Sequence, residues 1–270
     1  MAERIELNGV VLALEDRGGD GPAIVFVHGL GGSIETWRAQ LRAAGDAGFR
    51  TIAYDQRGAG LSAKPEGPYS VAQWEADLGA LIDALGLESV ALVGNSVGCM
   101  VAANAAAELG DHCWALAMIG GALAWRPEAQ PVFAERVELA RAGHMDEIAD
   151  TVAASGLSER RRSEDPAFEG LFRSLIAGAN PTAYAECAAA TASARITAPE
   201  RITAPALAIA GELDPVTPPA FAEAIVEAIG AGDVAAIPGA AHWCHLEKPD
   251  LVNEALLRFL RNKSHKFGDS

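Results

Sequence analysis

A serine hydroxyl is a poor nucleophile at neutral pH until a base takes its proton. An imidazole does this best when a carboxylate holds its other ring nitrogen. Three residues carry those groups at informative positions: Ser96, Asp214 and His242. Ser96 stands in Gly94-Asn95-Ser96-Val97-Gly98, after the apolar run 90–93 and before the alanine-rich stretch 99–109. That order reads as strand, sharp turn, helix. The turn would lift the hydroxyl clear of a sheet, and the two glycines would let strand and helix pass closely. The amide of Val97, at the helix start, would face negative charge built beside Ser96. A second N–H donor is expected from Leu30, in His28-Gly29-Leu30-Gly31-Gly32. Together the two amides would receive an oxyanion.

Each residue also has a plainer reading. Ser96 could cap a helix, and Asp214 could form the turn before Pro215. His242 has a rival in His245, but only His242 directly follows the strand-ending turn that begins at Pro238-Gly239. His28 reads as a structural residue of its loop rather than a base. Asp55 and Arg57 read as an ion pair that ties one turn together. Arg160, Arg161 and Arg162 read as a solvated charge run, with one of them, or Arg126, left to meet a substrate carboxylate. Trp125 and Arg126 are the expected substrate-pocket residues. His242, Cys244 and His245 match no common metal-ligand spacing, so neither a metal nor an organic cofactor is expected. Residues 58–63 fit the dinucleotide pattern G-x-G-x-x-A, but Pro65, Gly67 and Pro68 break the chain where a helix must begin.

The elements that must position these groups follow from the apolar pattern. Asn8-Gly9 between two apolar-bearing runs predicts a hairpin. Residues 23–27, 90–93, 114–119 and 206–210 are continuous apolar runs and 51–54 nearly so, as expected for strands covered on both faces. Helical periods over 33–45, 70–85, 218–229 and 249–261 separate them, and a last strand is expected at 234–237. Strands alternating with helices predict a mostly parallel α/β sheet with helices on both faces. Ser96, Asp214 and His242 then fall at the C-terminal ends of three strands, the edge where such sheets bind ligands. The rhythm fails between residue 121 and the strand at 206, where four helices are expected, at 130–142, 145–155, 168–177 and 182–194. The expected organisation is a core of residues 1–121 and 205–262, a helical cap over 122–204, and a frayed tail at 263–270.

Composition narrows the partners. The chain carries 21 basic and 36 acidic residues, a formal charge of −15, which disfavours nucleic acid and anionic membrane surfaces. No apolar segment long enough to span a bilayer is visible, nor is a leader-like start. The four cysteines have no paired spacing and read as reduced core thiols, so a cytoplasmic setting is expected. A homo-oligomer is compatible with this composition.

Five segments, HGLGGS (28–33), DQRGAGLS (55–62), GNSVG (94–98), GELDPVTPP (211–219) and GAAHWCHLEKPD (239–250), together resemble the capped α/β-hydrolase family. The resemblance spans residues 7–260 and is nearest the branch of 3-oxoadipate enol-lactone hydrolases and cofactor-free haloperoxidases. It implies the α/β-hydrolase fold, Ser96 as nucleophile, His242 as base, Asp214 as its partner and a small ester or lactone as substrate. Members often carry Met-Gly-Gly after the serine, where this chain has Val97, Gly98 and Cys99. The GNS trio also resembles hydrolases that cleave carbon–carbon bonds in meta-cleavage products, although their oxyanion loop is richer in glycine and proline. A ligand-binding receptor or a cofactor-independent oxygenase on the same fold are the readings from other classes.

Overall fold

The computed structural model describes residues 3–264. The chain opens with β1 (Glu3–Leu7) and β2 (Val10–Asp16), which pair antiparallel. Asn8 and Gly9 turn between them at φ +49° and +72°, the left-handed conformation that favours this dipeptide. Next come β3 (Ala23–Val27), α1 (Arg38–Asp46), β4 (Arg50–Tyr54) and α2 (Val71–Ala84). They are followed by β5 (Val90–Asn95), α3 (Val97–Leu109) and β6 (Cys113–Ile119). After a long helical insertion the core resumes with β7 (Ala206–Gly211), α9 (Pro219–Ile229) and β8 (Asp233–Ile237), then a short helix at Cys244–Glu247 and a last one at Pro249–Ser264.

The eight strands form one sheet in the order β1-β2-β4-β3-β5-β6-β7-β8. It is parallel from β4 to β8; β2 alone runs against it, antiparallel to both β4 and β1. Successive side chains of a strand point to opposite faces, and both faces here are buried. Val25 and Val27 of β3 join a core with Leu78 and Leu81 of α2 and Met100 of α3. Ile24 and Phe26 join the other, with Leu41 of α1 and Leu256 and Phe259 of the last helix. This two-sided burial explains why the strands read as unbroken apolar runs. The outer strands are the exceptions: β1 carries Glu3, Arg4 and Glu6, and most of β8 is exposed.

The insertion folds as α4 (Ala129–Arg141), α5 (Met145–Gly156), α6 (Glu159–Glu164), α7 (Pro166–Ala177) and α8 (Pro181–Ala192). Its two ends meet where Ala124 bridges Arg195 and the Ile196 amide donates to Leu123 at 2.7 Å. Its own apolar cluster holds Val137, Ile148, Phe172 and Tyr184, and it reaches the core through Leu30 and Trp243.

Three expectations need correction. The helix expected from residue 33 begins instead as a 3-10 turn, Ile34–Trp37, because the Ile34 amide is drawn to the Asp55 carboxylate at 2.7 Å. The arginine run 160–162 lies in α6, a helix that its charge concealed. The last helix continues to Ser264, so Lys263 and Ser264 are not frayed; the remainder of the expected tail, 265–270, lies outside the described residues. Among the described residues no helix is long and apolar enough to cross a membrane.

Candidate active site

Ser96 adopts φ +53° and ψ −122°, and apart from Asn8 it is the only non-glycine with positive φ among the described residues. Backbone in such a region costs about 1–3 kcal/mol and persists only where its surroundings impose it. Those surroundings are the two glycines. A Cβ at Gly94 would stand 2.4 Å from the Gly98 carbonyl oxygen, and one at Gly98 would stand 2.3 Å from that of Val27. The Ser96 amide donates to the Ile119 carbonyl at 2.9 Å, which ties the turn to the end of β6. Cys99 is accommodated because Gly121 leaves it room: a Cβ there would come within 3.0 Å of the Cys99 Cβ.

Asp214 and His242 meet across the ends of β7 and β8. His242 Nδ1 lies 2.8 Å from Asp214 Oδ2, and both side chains are buried. Thr217 Oγ1 donates to the same Oδ2 at 2.8 Å. Oδ1 accepts the amides of Val216 and Thr217 at 2.8 and 2.9 Å. The turn-forming and histidine-holding readings of Asp214 are therefore both true, one for each oxygen. Burial opposes ionisation of Asp214, but the His242 ring and the hydrogen bonds from His242 and Thr217 outweigh it, and its carboxyl lies below the ordinary range. An ionised Asp214 accepts a proton-bearing Nδ1, which leaves Nε2 of a neutral His242 free to act as a base. Ser96 and His242 converge on one corner, since Gly120, next to Ile119, would place a Cβ 3.1 Å from His242 Cε1.

Val97 is the first residue of α3, so its amide has no carbonyl to reach within the helix. Leu30 stands in the turn closed by the Gly32 amide on the Gly29 carbonyl, 3.0 Å. Gly29 brings this loop against the nucleophile, because a Cβ there would lie 2.9 Å from the Ser96 Cβ. His28 has both ring nitrogens engaged. Its Nε2 accepts the Gln56 amide at 3.0 Å, so Nδ1 carries the hydrogen and donates to the Gly29 carbonyl at 2.8 Å. Burial drives its pKa down, consistent with a neutral structural ring. His245 is fully buried between the Trp37 and Trp243 rings, with centroids at 4.8 and 5.7 Å, and does not replace His242 at Asp214.

The expected Asp55–Arg57 pair does not form. Asp55 instead accepts the amides of Ile34 and Leu61, while Arg57 makes a two-pronged bond to buried Asp77 at 2.7 and 2.8 Å. Each Asp55 oxygen takes a backbone amide, and Arg57 reaches instead to Asp77, whose charge it compensates in the interior. Arg160, Arg161 and Arg162 pair with Glu164, Asp165 and Glu169, as a solvated charge run does. The Arg126 guanidinium lies 4.4 Å over the Phe221 ring, and Trp125 packs edge-on against Phe133.

A cavity of about 430 Å³ opens between the core loops and α7–α8, lined by Leu30, Gly31, Leu61, Ala179, Tyr184 and Cys187 among others. Neither Trp125 nor Arg126 lines it. Ser96 and His242, 9% and 6% exposed, are not among its lining residues. Tyr184 was not singled out from sequence. Its hydroxyl is buried with no hydrogen-bond partner, and only its place on the roof of this cavity distinguishes it from a core tyrosine. All four thiols are buried; burial pushes Cys113 and Cys187 up to about 12 and Cys99 and Cys244 higher, so none is a thiolate nucleophile at neutral pH. Among the described residues no group of three or more His, Cys, Asp or Glu is arranged to hold a metal ion.

A buried histidine–carboxylate pair and a strained serine at the C-terminal edge of a parallel sheet define a class. The chain belongs to the α/β-hydrolase fold family, whose model matches residues 22–249. Among its relatives, a 3-oxoadipate enol-lactonase of Acinetobacter baylyi is 29% identical over 262 residues, covering 94% of this chain and 93% of that one. The crystal structure of an enol-lactonase from Burkholderia xenovorans aligns with a TM-score of 0.89 at 28% identity, over 96% of this chain and 100% of that one. A thermophilic esterase from Thermogutta terrifontis, with malate bound, aligns with a TM-score of 0.89 at 27% identity, over 98% and 99% of the two chains. The protein is an α/β hydrolase with lactonase and esterase relatives.

Proposed function

We propose that this protein is a serine hydrolase that cleaves a small carboxylic ester or lactone through an acyl-enzyme. The observation that carries the proposal is the 2.8 Å bond from His242 Nδ1 to the ionised Asp214, beside a serine held in a strained turn. His242 Nε2 takes the Ser96 proton as Oγ attacks the carbonyl carbon. The amides of Leu30 and Val97 receive the oxyanion; losing one such donor typically costs on the order of a hundredfold or more in rate. The protonated ring then gives its proton to the leaving oxygen, and water activated by His242 releases the acid. Residues 122–204 act as a cap on the core of 1–121 and 205–262, with the substrate body in the cavity beside Leu30. Tyr184 lines that cavity, and its buried hydroxyl has no partner in the fold. Lactonase and esterase relatives support this substrate class.

The test is p-nitrophenyl acetate turnover by wild type and Ser96→Ala, with intact mass measured after a fluorophosphonate. Turnover lost in the variant and one adduct mapped to Ser96 are expected. Wild-type turnover in Ser96→Ala would refute the assignment of the nucleophile. Absence of both adduct and turnover in wild type would favour a binding function on the same fold.

A further inference from the structure

Glu247 ends the short helix that follows the His242 loop and is 3% exposed. A buried carboxylate needs compensation, and no lysine or arginine supplies it here among the described residues. Three hydrogen-bond donors do. Oε1 accepts the amide of Ala241, the residue before His242, at 2.7 Å. Oε2 accepts the amide of Ser158 at 3.1 Å and its hydroxyl at 2.5 Å. Ser158 belongs to the insertion, where it caps α6 by accepting the Arg161 amide at 3.2 Å. One carboxylate thus spans the chain from the histidine loop to the insertion. A second tie lies beside it: the Trp243 amide donates to the Gly156 carbonyl at 3.0 Å. The Trp243 ring packs edge-on against Phe172, with centroids 5.2 Å apart, and a Cβ at Gly156 would meet it at 2.7 Å.

We infer that Glu247 is a positioning residue for His242, and that the insertion, through Ser158 and Gly156, is part of what aligns that imidazole on Ser96. The inference rests on His242 being the base of the proposed hydrolase. Asp214 fixes only the Nδ1 end of the ring; where Nε2 points depends also on the backbone at residues 241 and 243. Both neighbours of His242 are bonded to groups that hold or belong to the insertion. Seating α5 and α6 on the core and aligning the base are one event. The insertion therefore acts on the chemistry as well as covering the pocket. An apolar side chain at residue 247 would fill the space but leave the Ala241 and Ser158 donors unpaired, and the loop free to shift.

The experiment compares Glu247→Ala, Glu247→Gln and Ser158→Ala with wild type. It records kcat and KM for p-nitrophenyl acetate, the rate of fluorophosphonate labelling of Ser96, and thermal melts, at a temperature where each variant is folded. Asp77→Asn, which breaks a buried bond to Arg57 away from the histidine loop, serves as the control for loss of stability alone. Glu247→Ala should lower kcat and the labelling rate together, on the order of a hundredfold, with KM little changed, because a small displacement of a catalytic group carries that cost. Glu247→Gln keeps one carbonyl oxygen for Ala241 and should recover most of the loss. Ser158→Ala should fall between them, and Asp77→Asn should lower Tm with kcat intact. A folded Glu247→Ala with wild-type kcat and labelling would overturn the inference. If Glu247→Ala does not fold, wild-type kcat in a folded Ser158→Ala would overturn it instead. An unlabelled wild type, or an active Ser96→Ala, would remove the hydrolase reading itself and is told apart by those two measurements alone.

Discussion

The insertion meets the strand ends in two different ways. At the His242 loop the contact is polar and directional, with the Ala241 and Trp243 amides bonded to Glu247 and Gly156, and Glu247 bonded on to Ser158. At the Leu30 loop it is apolar: Ile176 and Tyr184 press on Gly31, where a Cβ would meet Ile176 Cδ1 at 2.7 Å, and a cavity stays open beside them. Among the described residues no hydrogen bond joins residues 29–33 to α7 or α8. Hydrogen bonds to backbone fix both distance and angle, whereas apolar surfaces can slide at little cost. His242, the proposed base, stands on the fixed side. The adaptable boundary lies beside the cavity proposed for the substrate.

Cutting the fixed side should have the largest effect on stability. Trp243→Ala removes a ring packed on Phe172 and His245 and should cost about 3–5 kcal/mol, as buried tryptophans do. Chemical denaturation would measure it, and a loss below about 1 kcal/mol would show that the polar ties alone hold this side.

The same side should set the acid limit. Burial, with His242 nearby, pushes His245 down to about 3 from an ordinary 6.5. Between those values the unfolded chain binds a proton that the folded chain refuses, so stability falls as pH falls. The slope approaches about 1.4 kcal/mol per pH unit for this group. Buried His28, also lowered, acts with the same sign. The bonded Asp214 carboxyl extends the loss further, as pH drops through its depressed pKa. Denaturation at pH 6.5, 5.5 and 4.5 should show a shallower fall in His245→Phe, which keeps a ring between the two tryptophans. An unchanged slope would exclude His245 as a source of the acid sensitivity.

The smallest effect on stability is expected on the adaptable side. Tyr184→Phe deletes a buried hydroxyl that bonds to nothing, so the fold should be unchanged or gain up to about 1 kcal/mol. KM for small esters should rise while kcat stays near wild type. Unchanged KM would remove the Tyr184 hydroxyl from the list of substrate contacts.

Most of the frame was legible in the chain itself. A sheet covered on both faces forces unbroken apolar runs, and helices betray themselves by their period, so six strands of the parallel array and the helices at 71–84, 219–229 and 249–264 could be read directly. Ser96 was legible because its conformation admits only glycine two residues to either side, a local constraint that sequence must record. Asp214 and His242 were legible because both follow strand ends. Arg57 was misread, since its partner Asp77 is twenty positions away on α2 and spacing along a turn says nothing of that. The arginines of α6 hid their helix because its periodicity is one of ion pairs rather than apolar residues. Tyr184 and Glu247 left no signal at all. A tyrosine with an idle hydroxyl and a carboxylate held by three uncharged donors look, in sequence, like any other tyrosine and glutamate. What distinguishes them is the set of groups brought to them from residues 31, 158 and 241, and only the tertiary fold makes those neighbours. Sequence alone thus determined the sheet and the strained serine, because those depend on local sterics and on the period of burial. Tertiary structure decided which loops the insertion grips and which it merely touches, because hydrogen bonds between distant segments exist only once both segments are in place.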